Sequence, residues 1–243
     1  MKKKLLALAL ALGMLLSLAA CGAEKTPTGT VEPLESSAPT ADTGDTPTAD
    51  VPLDEPTAPA DDGPDYEFGS MTGGVYKNDF LGIGCTLDES WTYYSDEEIA
   101  NLNGLVIDSM DDEEIAETLR SSSVIYDMYA MAESGLVTMN IVFENLGVLY
   151  GTALDTAGYV DIAISNLGDA LTSAGYSDVN CEKTTVDFCG ETCDAIDITG
   201  VLSEMTVYEK LICMKQGNYI AVITLASFGE DVTADLAALF YSL

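Results

Sequence analysis

The chain has 243 residues, 47% of them hydrophobic, with 41 acidic residues against nine Lys and Arg, no histidine, and a formal charge of −32. So acidic a surface excludes nucleic acid, whose phosphates need clustered Lys and Arg, and disfavours anionic lipid or wall polymer. The missing histidine removes Ser-His-Asp and Cys-His catalysis, the usual zinc sites and the common near-neutral general base; no GxSxG elbow, SxxK pair, P-loop or EF-hand loop takes their place.

Lys2, Lys3 and Lys4 open the chain, Leu5 to Leu16 contains only Leu, Ala, Gly and Met, and Leu18-Ala19-Ala20-Cys21 closes the run. This is the anatomy of a secretory signal, too short for a membrane span of about 20 residues. The segment resembles the bacterial lipoprotein signal, whose lipobox ends in small residues and a cysteine that receives a diacylglyceryl group before cleavage. The resemblance implies a signal peptide over residues 1–20, a lipidated Cys21 as the first mature residue, and attachment to the bilayer on the extracytoplasmic face of the cell membrane. Two or more acyl chains at about 0.8 kcal/mol per buried methylene make such an anchor stable.

All eight prolines lie between Pro27 and Pro64, and from Gly22 to Asp65 they are joined by eight threonines, eleven carboxylates and one lysine. Such a run cannot bury enough apolar surface to offset its backbone entropy, and its prolines and like charges favour extended chain. Residues 21–72 are therefore expected to be the lipidated cysteine plus a disordered acidic tether, whose 44 residues from Gly22 to Asp65 reach at most on the order of 140 Å at about 3.1 Å per residue. Residues 73–243 are expected to form a single folded domain. That domain has no proline, and its five cations (Lys77, Arg120, Lys183, Lys210, Lys215) face 29 acidic residues, a net −24.

Within the domain, Val75 to Lys77 and Phe80 to Leu87 read as two strands, with Leu81, Ile83, Cys85 and Leu87 on one face. Ser95 and Glu98 make a capping box for a short helix ending before Gly104, and Ser109 or Asp111 starts a second that carries Ile115, Ala116 and Leu119. Val124 to Glu133 and Leu136 to Glu144 form a hairpin across Ser134-Gly135. A long helix follows, capped by Thr152 and Asp155, with Tyr159, Ile162, Ala163, Leu167, Ala170, Leu171 and Ala174 on one stripe before Gly175 stops it.

Four strands come next, near 179–188, 192–202, 205–215 and 219–226; the last is apolar on both alternations and so covered on both faces. A final helix is expected from Ser227 and Glu230 to the C-terminus, with Val232, Leu236, Leu239, Phe240 and Leu243 inward. The fold class is α+β: an α/β/α sandwich, a largely antiparallel sheet with helices on both faces. This order, with Tyr76-Lys77-Asn78 running into Phe80-Leu81-Gly82-Ile83 and then Leu87 and Trp91, resembles the Mog1/PsbP-like fold. Asp88 stands where a proline commonly precedes the Trp. The resemblance implies a noncatalytic partner of a larger assembly and carries no site residues with it.

Between Asp88 and Glu117 there are eleven carboxylates and no cation, but seven of them fall in first turns of expected helices, where anions complement the dipole. Capping accounts for them without a metal, so neither metal nor cofactor is expected. Carboxylate pairs able to run glycoside hydrolysis are too common in so acidic a domain to point anywhere. Trp91, Tyr93 and Tyr94 form the densest aromatic cluster; Trp91 reads as core, and Tyr93 and Tyr94, which point opposite ways in extended chain, are the candidate partner-binding residues.

Five cysteines remain beyond Cys21: Cys85, Cys181, Cys189, Cys193 and Cys213. Cys85 reads as a buried free thiol. Cys189 and Cys193 would form a cross-strand disulfide if the turn at Gly190-Glu191 places them opposite each other, and otherwise stay free. Together these features lead us to expect a noncatalytic extracytoplasmic lipoprotein that binds an envelope or surface protein, or a small ligand or divalent cation serving a membrane receptor or transporter. A concave pocket lined by aromatics would favour the small ligand, and a shallow apolar patch the protein.

Overall fold

The computed structural model describes residues 66–105, 114, 118–119 and 121–243. The expected leader, Cys21 and the run 22–65 lie outside the described residues, as does most of the second acidic helix expected from Ser109 or Asp111. In chain order the elements are β1 (Ser70–Thr72), β2 (Val75–Asn78), β3 (Ile83–Thr86), β4 (Trp91–Tyr93), α1 (Asp96–Leu102), β5 (Val124–Ala132), β6 (Val137–Asn145), α2 (Gly147–Ala153), α3 (Thr156–Ser173), β7 (Ser177–Phe188), β8 (Glu191–Leu202), β9 (Met205–Gln216), β10 (Tyr219–Phe228), α4 (Thr233–Ala237) and β11 (Phe240–Ser242).

A seven-stranded sheet in the order β4-β5-β6-β10-β9-β8-β7 forms the centre, and a four-stranded sheet β1-β2-β3-β11 forms a second layer. Every neighbouring pair is antiparallel. β10, the strand apolar on both alternations, lies between β6 and β9 with Ile223 opposite both Ile141 and Ile212. Its odd-numbered residues Ala221, Ile223 and Leu225 join one core, and its even-numbered Ile220 and Val222 join the other.

The second core is closed by α3. Asp155 caps this 18-residue helix by accepting from the Gly158 N–H at 2.8 Å, and Gly175, at φ 98°, supplies the left-handed residue that ends it. Tyr159, Val160, Ala163, Leu167 and Leu171 are buried against β7, β8 and β9, while Ile162 is 46% exposed. The inward stripe is thus rotated slightly from the one expected, with Val160 in and Ile162 out. Each buried Val or Leu contributes on the order of 2 kcal/mol.

On the opposite face the expected helical layer is mostly sheet. Tyr76, Ile83, Cys85 and Phe240 of the small sheet pack onto Ile141, Phe143 and Ile223, with α1 and α4 adding Ala100 and Leu236. The final helix stops at Ala237, and Phe240–Ser242 becomes a strand with Phe240 opposite Cys85. Phe240 is buried and Leu243 half exposed. In so short a run the helical and alternating patterns coincide, and pairing satisfies the edge of β3 that a helix would leave open.

Residues 66–72, assigned to the tether on composition, belong to the fold. β1 pairs with β2, and the Tyr66 ring packs edge-on against Phe143 at 4.8 Å and Phe80 at 5.7 Å between centroids. The chain is α+β, built mainly from antiparallel sheets. No helix among the described residues is long and apolar enough to cross a membrane.

Candidate functional site

The site begins with one extra residue in β5. Tyr126 pairs with Val142 and Met128 with Ile141, so Asp127 is left over as a β-bulge. The bulge turns Asp127, like Met128, toward the small sheet, which is how a carboxylate enters an otherwise apolar strand. Asp127 is only 6% exposed.

Four donors meet it there: the hydroxyls of Tyr66 and Tyr76, the Gly69 N–H at 2.8 Å and the Asn78 amide at 3.0 Å. Tyr76 and Asn78 are two apart on β2 and so share its inner face, while Lys77 between them is exposed. Asn78 is oriented in turn, since its Oδ1 accepts from the Leu81 N–H at 2.8 Å. Burial, and then the Asp127 charge, push the Tyr66 and Tyr76 phenols well above their ordinary range, so both remain neutral donors. None of the four donors carries a positive charge. Gly69 has to be glycine: a Cβ there would lie 2.4 Å from the Tyr76 ring and 2.8 Å from an Asp127 oxygen.

Beside Asp127 lies a pocket of about 380 Å³, within the range of roughly 300–1,000 Å³ common for small-molecule sites. It forms where β4 leaves β5. β4 pairs only with Ala130–Ala132, and Tyr94 N–H then donates to Tyr129 O at 2.9 Å. Beyond that point α1 replaces the strand, and the Asn103 side chain takes both backbone groups of Tyr126, donating to its O at 2.7 Å and accepting from its N–H at 2.8 Å. Between these two attachments the edge of β5 faces α1 instead of a strand. Phe68, Tyr76, Tyr94 and Tyr129 supply aromatic walls, Met71, Met128, Ile99 and Leu105 aliphatic ones, and Asp127 and Asp96 the two charges. Among the described residues no Lys or Arg lines it.

α1 is started by the expected capping box, with Ser95 N–H donating to Glu98 at 2.9 Å and Glu98 N–H to Ser95 at 3.3 Å. Its first residue, Asp96, is exposed and also lines the pocket. The structure separates the two candidate tyrosines. Tyr94 lines the pocket and lies against Tyr129, with centroids 4.6 Å apart and rings tilted at 49°. Tyr93 packs instead on the core beneath the small sheet, as does the half-buried Trp91.

Cys189 occupies the turn at φ 51°, and Cys193 lies opposite Val186, not opposite Cys189. Both are free thiols, as are Cys85, Cys181 and Cys213. Burial pushes Cys85 and Cys213 up to about 12 and Cys189 up to about 11, so none is activated as a thiolate. Among the described residues no group of three or more Cys, Asp or Glu is arranged to hold a metal ion.

Asp127, Tyr66 and Phe68 were not foreseen from the sequence. The available signal was the lone acid inside the apolar run Val124 to Ala132, with the first aromatics after the proline-rich segment.

No protein-family model matches the chain, and no curated protein matches it. Among solved structures it is similar to the crystal structure of LpqN, involved in cell envelope biogenesis of Mycobacterium tuberculosis, at 9% identity and a TM-score of 0.34 over 64% of this chain and 75% of that one. It is also similar to PA94, a protein of unknown function from Pseudomonas aeruginosa, at 12% identity and a TM-score of 0.28 over 42% of this chain and 66% of that one.

Proposed function

We infer that this is an extracytoplasmic lipoprotein, anchored to the bilayer through acylated Cys21, whose folded domain is a noncatalytic module that binds a small envelope component. The observation that carries the binding role is the aromatic pocket floored by Asp127. A concave, largely apolar cavity with a few placed polar groups suits a small molecule better than a broad protein surface. The basic-then-apolar leader ending at Cys21 supports the anchor. The finer likeness to the Mog1/PsbP-like fold is supported by the order of the elements from α1 to β10.

Screening the protein by thermal shift against mixed small amphiphiles, neutral and charged, tests the binding role. Compounds that raise Tm for the native chain and lose their effect with Tyr94→Ala support it; a screen without hits, or with hits indifferent to Tyr94→Ala, removes it. Palmitate labelling of the wild type but not of Cys21→Ser is the matching result for the anchor, and an unlabelled wild type would overturn it.

A further inference from the structure

Resting on that reading of the pocket as a ligand site, we propose that its ligand is a quaternary ammonium compound. Two observations select the cation. Asp127 is a buried carboxylate whose four hydrogen-bond partners are all neutral, so its charge reaches the cavity beside it uncancelled. Asp96, exposed at the first turn of α1, adds a second negative charge, and among the described residues no cation lines the walls. An anion would be repelled here, and a neutral apolar molecule would leave the field unused.

A third observation selects the kind of cation. A carboxylate has about four acceptor positions, and Tyr66, Gly69, Tyr76 and Asn78 already donate to Asp127. A primary ammonium brings three donors that Asp127 cannot accept without giving up one of its own partners, and buried donors left unpaired are costly. A quaternary ammonium brings none. Its charge sits on methyl groups that need only a negative field and aromatic faces, and Phe68, Tyr76, Tyr94 and Tyr129 provide the rings around the cavity. Asp96, being solvated, attracts the cation on approach without having to bond it.

Isothermal titration of the full chain, held in non-ionic detergent, with choline, ethanolamine and 3,3-dimethylbutan-1-ol separates these terms. The second compound lacks the methyl groups, and the third replaces the charged nitrogen by carbon. Choline is expected to bind at least tenfold tighter than either. Tyr94→Ala should weaken choline about tenfold, and Asp96→Asn, at an exposed position that leaves folding intact, a few-fold with salt sensitivity reduced.

Phosphatidylcholine carried in the same detergent micelles presents the same cation and forms a second arm: lipid that displaces choline assigns a lipid headgroup, lipid that does not assigns a free solute, and both uphold the cation class. Equal binding of the neutral isostere, preference for ethanolamine, or no choline binding overturns it. If neutral amphiphiles still bind through Tyr94 while choline does not, only this inference fails; if nothing binds, the pocket reading fails with it.

Discussion

Tyr76 donates its hydroxyl to Asp127 across 51 positions of chain, and this contact ties the small sheet to the bulge of the central one. Replacing Asp127 by Ala would strand two phenols, an amide and a backbone N–H in a buried place. We expect Asp127→Ala to cost about 3–5 kcal/mol, since buried donors cost about 1–3 kcal/mol each and part of the loss relaxes. Tyr76→Phe removes one donor to a charged group and should cost about 1.5–3 kcal/mol. Urea midpoints at constant m-value measure both; an Asp127→Ala midpoint within error of wild type would refute the tie.

Two glycines should respond in opposite directions. Gly69→Ala drives a methyl into the Tyr76 ring and Asp127, and is expected to destabilise by about 1–3 kcal/mol. Gly168, inside α3, has open space where a Cβ would go, so Gly168→Ala should stabilise by about 0.5–1 kcal/mol. Paired thermal melts test this, and equal shifts of the same sign would contradict it.

Stability should fall as pH rises from about 4.5 to about 7. Glu144 and Glu209 are each 3% exposed, and one oxygen of each has no hydrogen-bond partner among the described residues. Burial raises both carboxyls to about 7. Tyr159 and Cys213 face Glu144, and Tyr176 and Cys181 face Glu209; none is a cation. The folded state therefore holds protons that the unfolded state releases near pH 4.3, so the favourable protonated form is fully present below that value and lost by pH 7. The change is on the order of 3 kcal/mol per group. Glu209→Gln should flatten the profile by its share at high salt, where repulsion among surface carboxylates is screened. A profile of unchanged slope in that variant would show that Glu209 does not titrate in this window.

Alkylation should follow burial. Cys181 and Cys189 are half-buried, whereas Cys85, Cys193 and Cys213 are buried. With iodoacetamide at pH 8, mass spectrometry is expected to show Cys181 and Cys189 modified first, and Cys85 and Cys213 only on unfolding. Reductant should leave the number of modified sites unchanged; an increase would mean that a disulfide is present.

How much was legible depends on the length of the pattern. The four strands from Ser177 to Phe228 match the alternation within about two residues, and the Ser95 box and the Gly175 stop are local signals that tertiary packing leaves alone. β1, β4 and β11 have three residues each, too few for any period to show. The site was harder still. A bulge reverses the side on which each later residue of β5 falls, so alternation cannot place Asp127, and its partners Tyr66, Gly69, Tyr76 and Asn78 lie 49 to 61 positions away. Only the opposed directions of Tyr93 and Tyr94 were readable in advance.

Tyr66 is the first described residue of the chain, and its hydroxyl donates to the carboxylate that floors the cavity. Any force applied at Tyr66 would reach Phe68 and Gly69 ahead of the first strand, β1. Strain at that residue and occupancy of the cavity would act on the same few atoms, so a bound ligand should resist the loss of the Tyr66 contact.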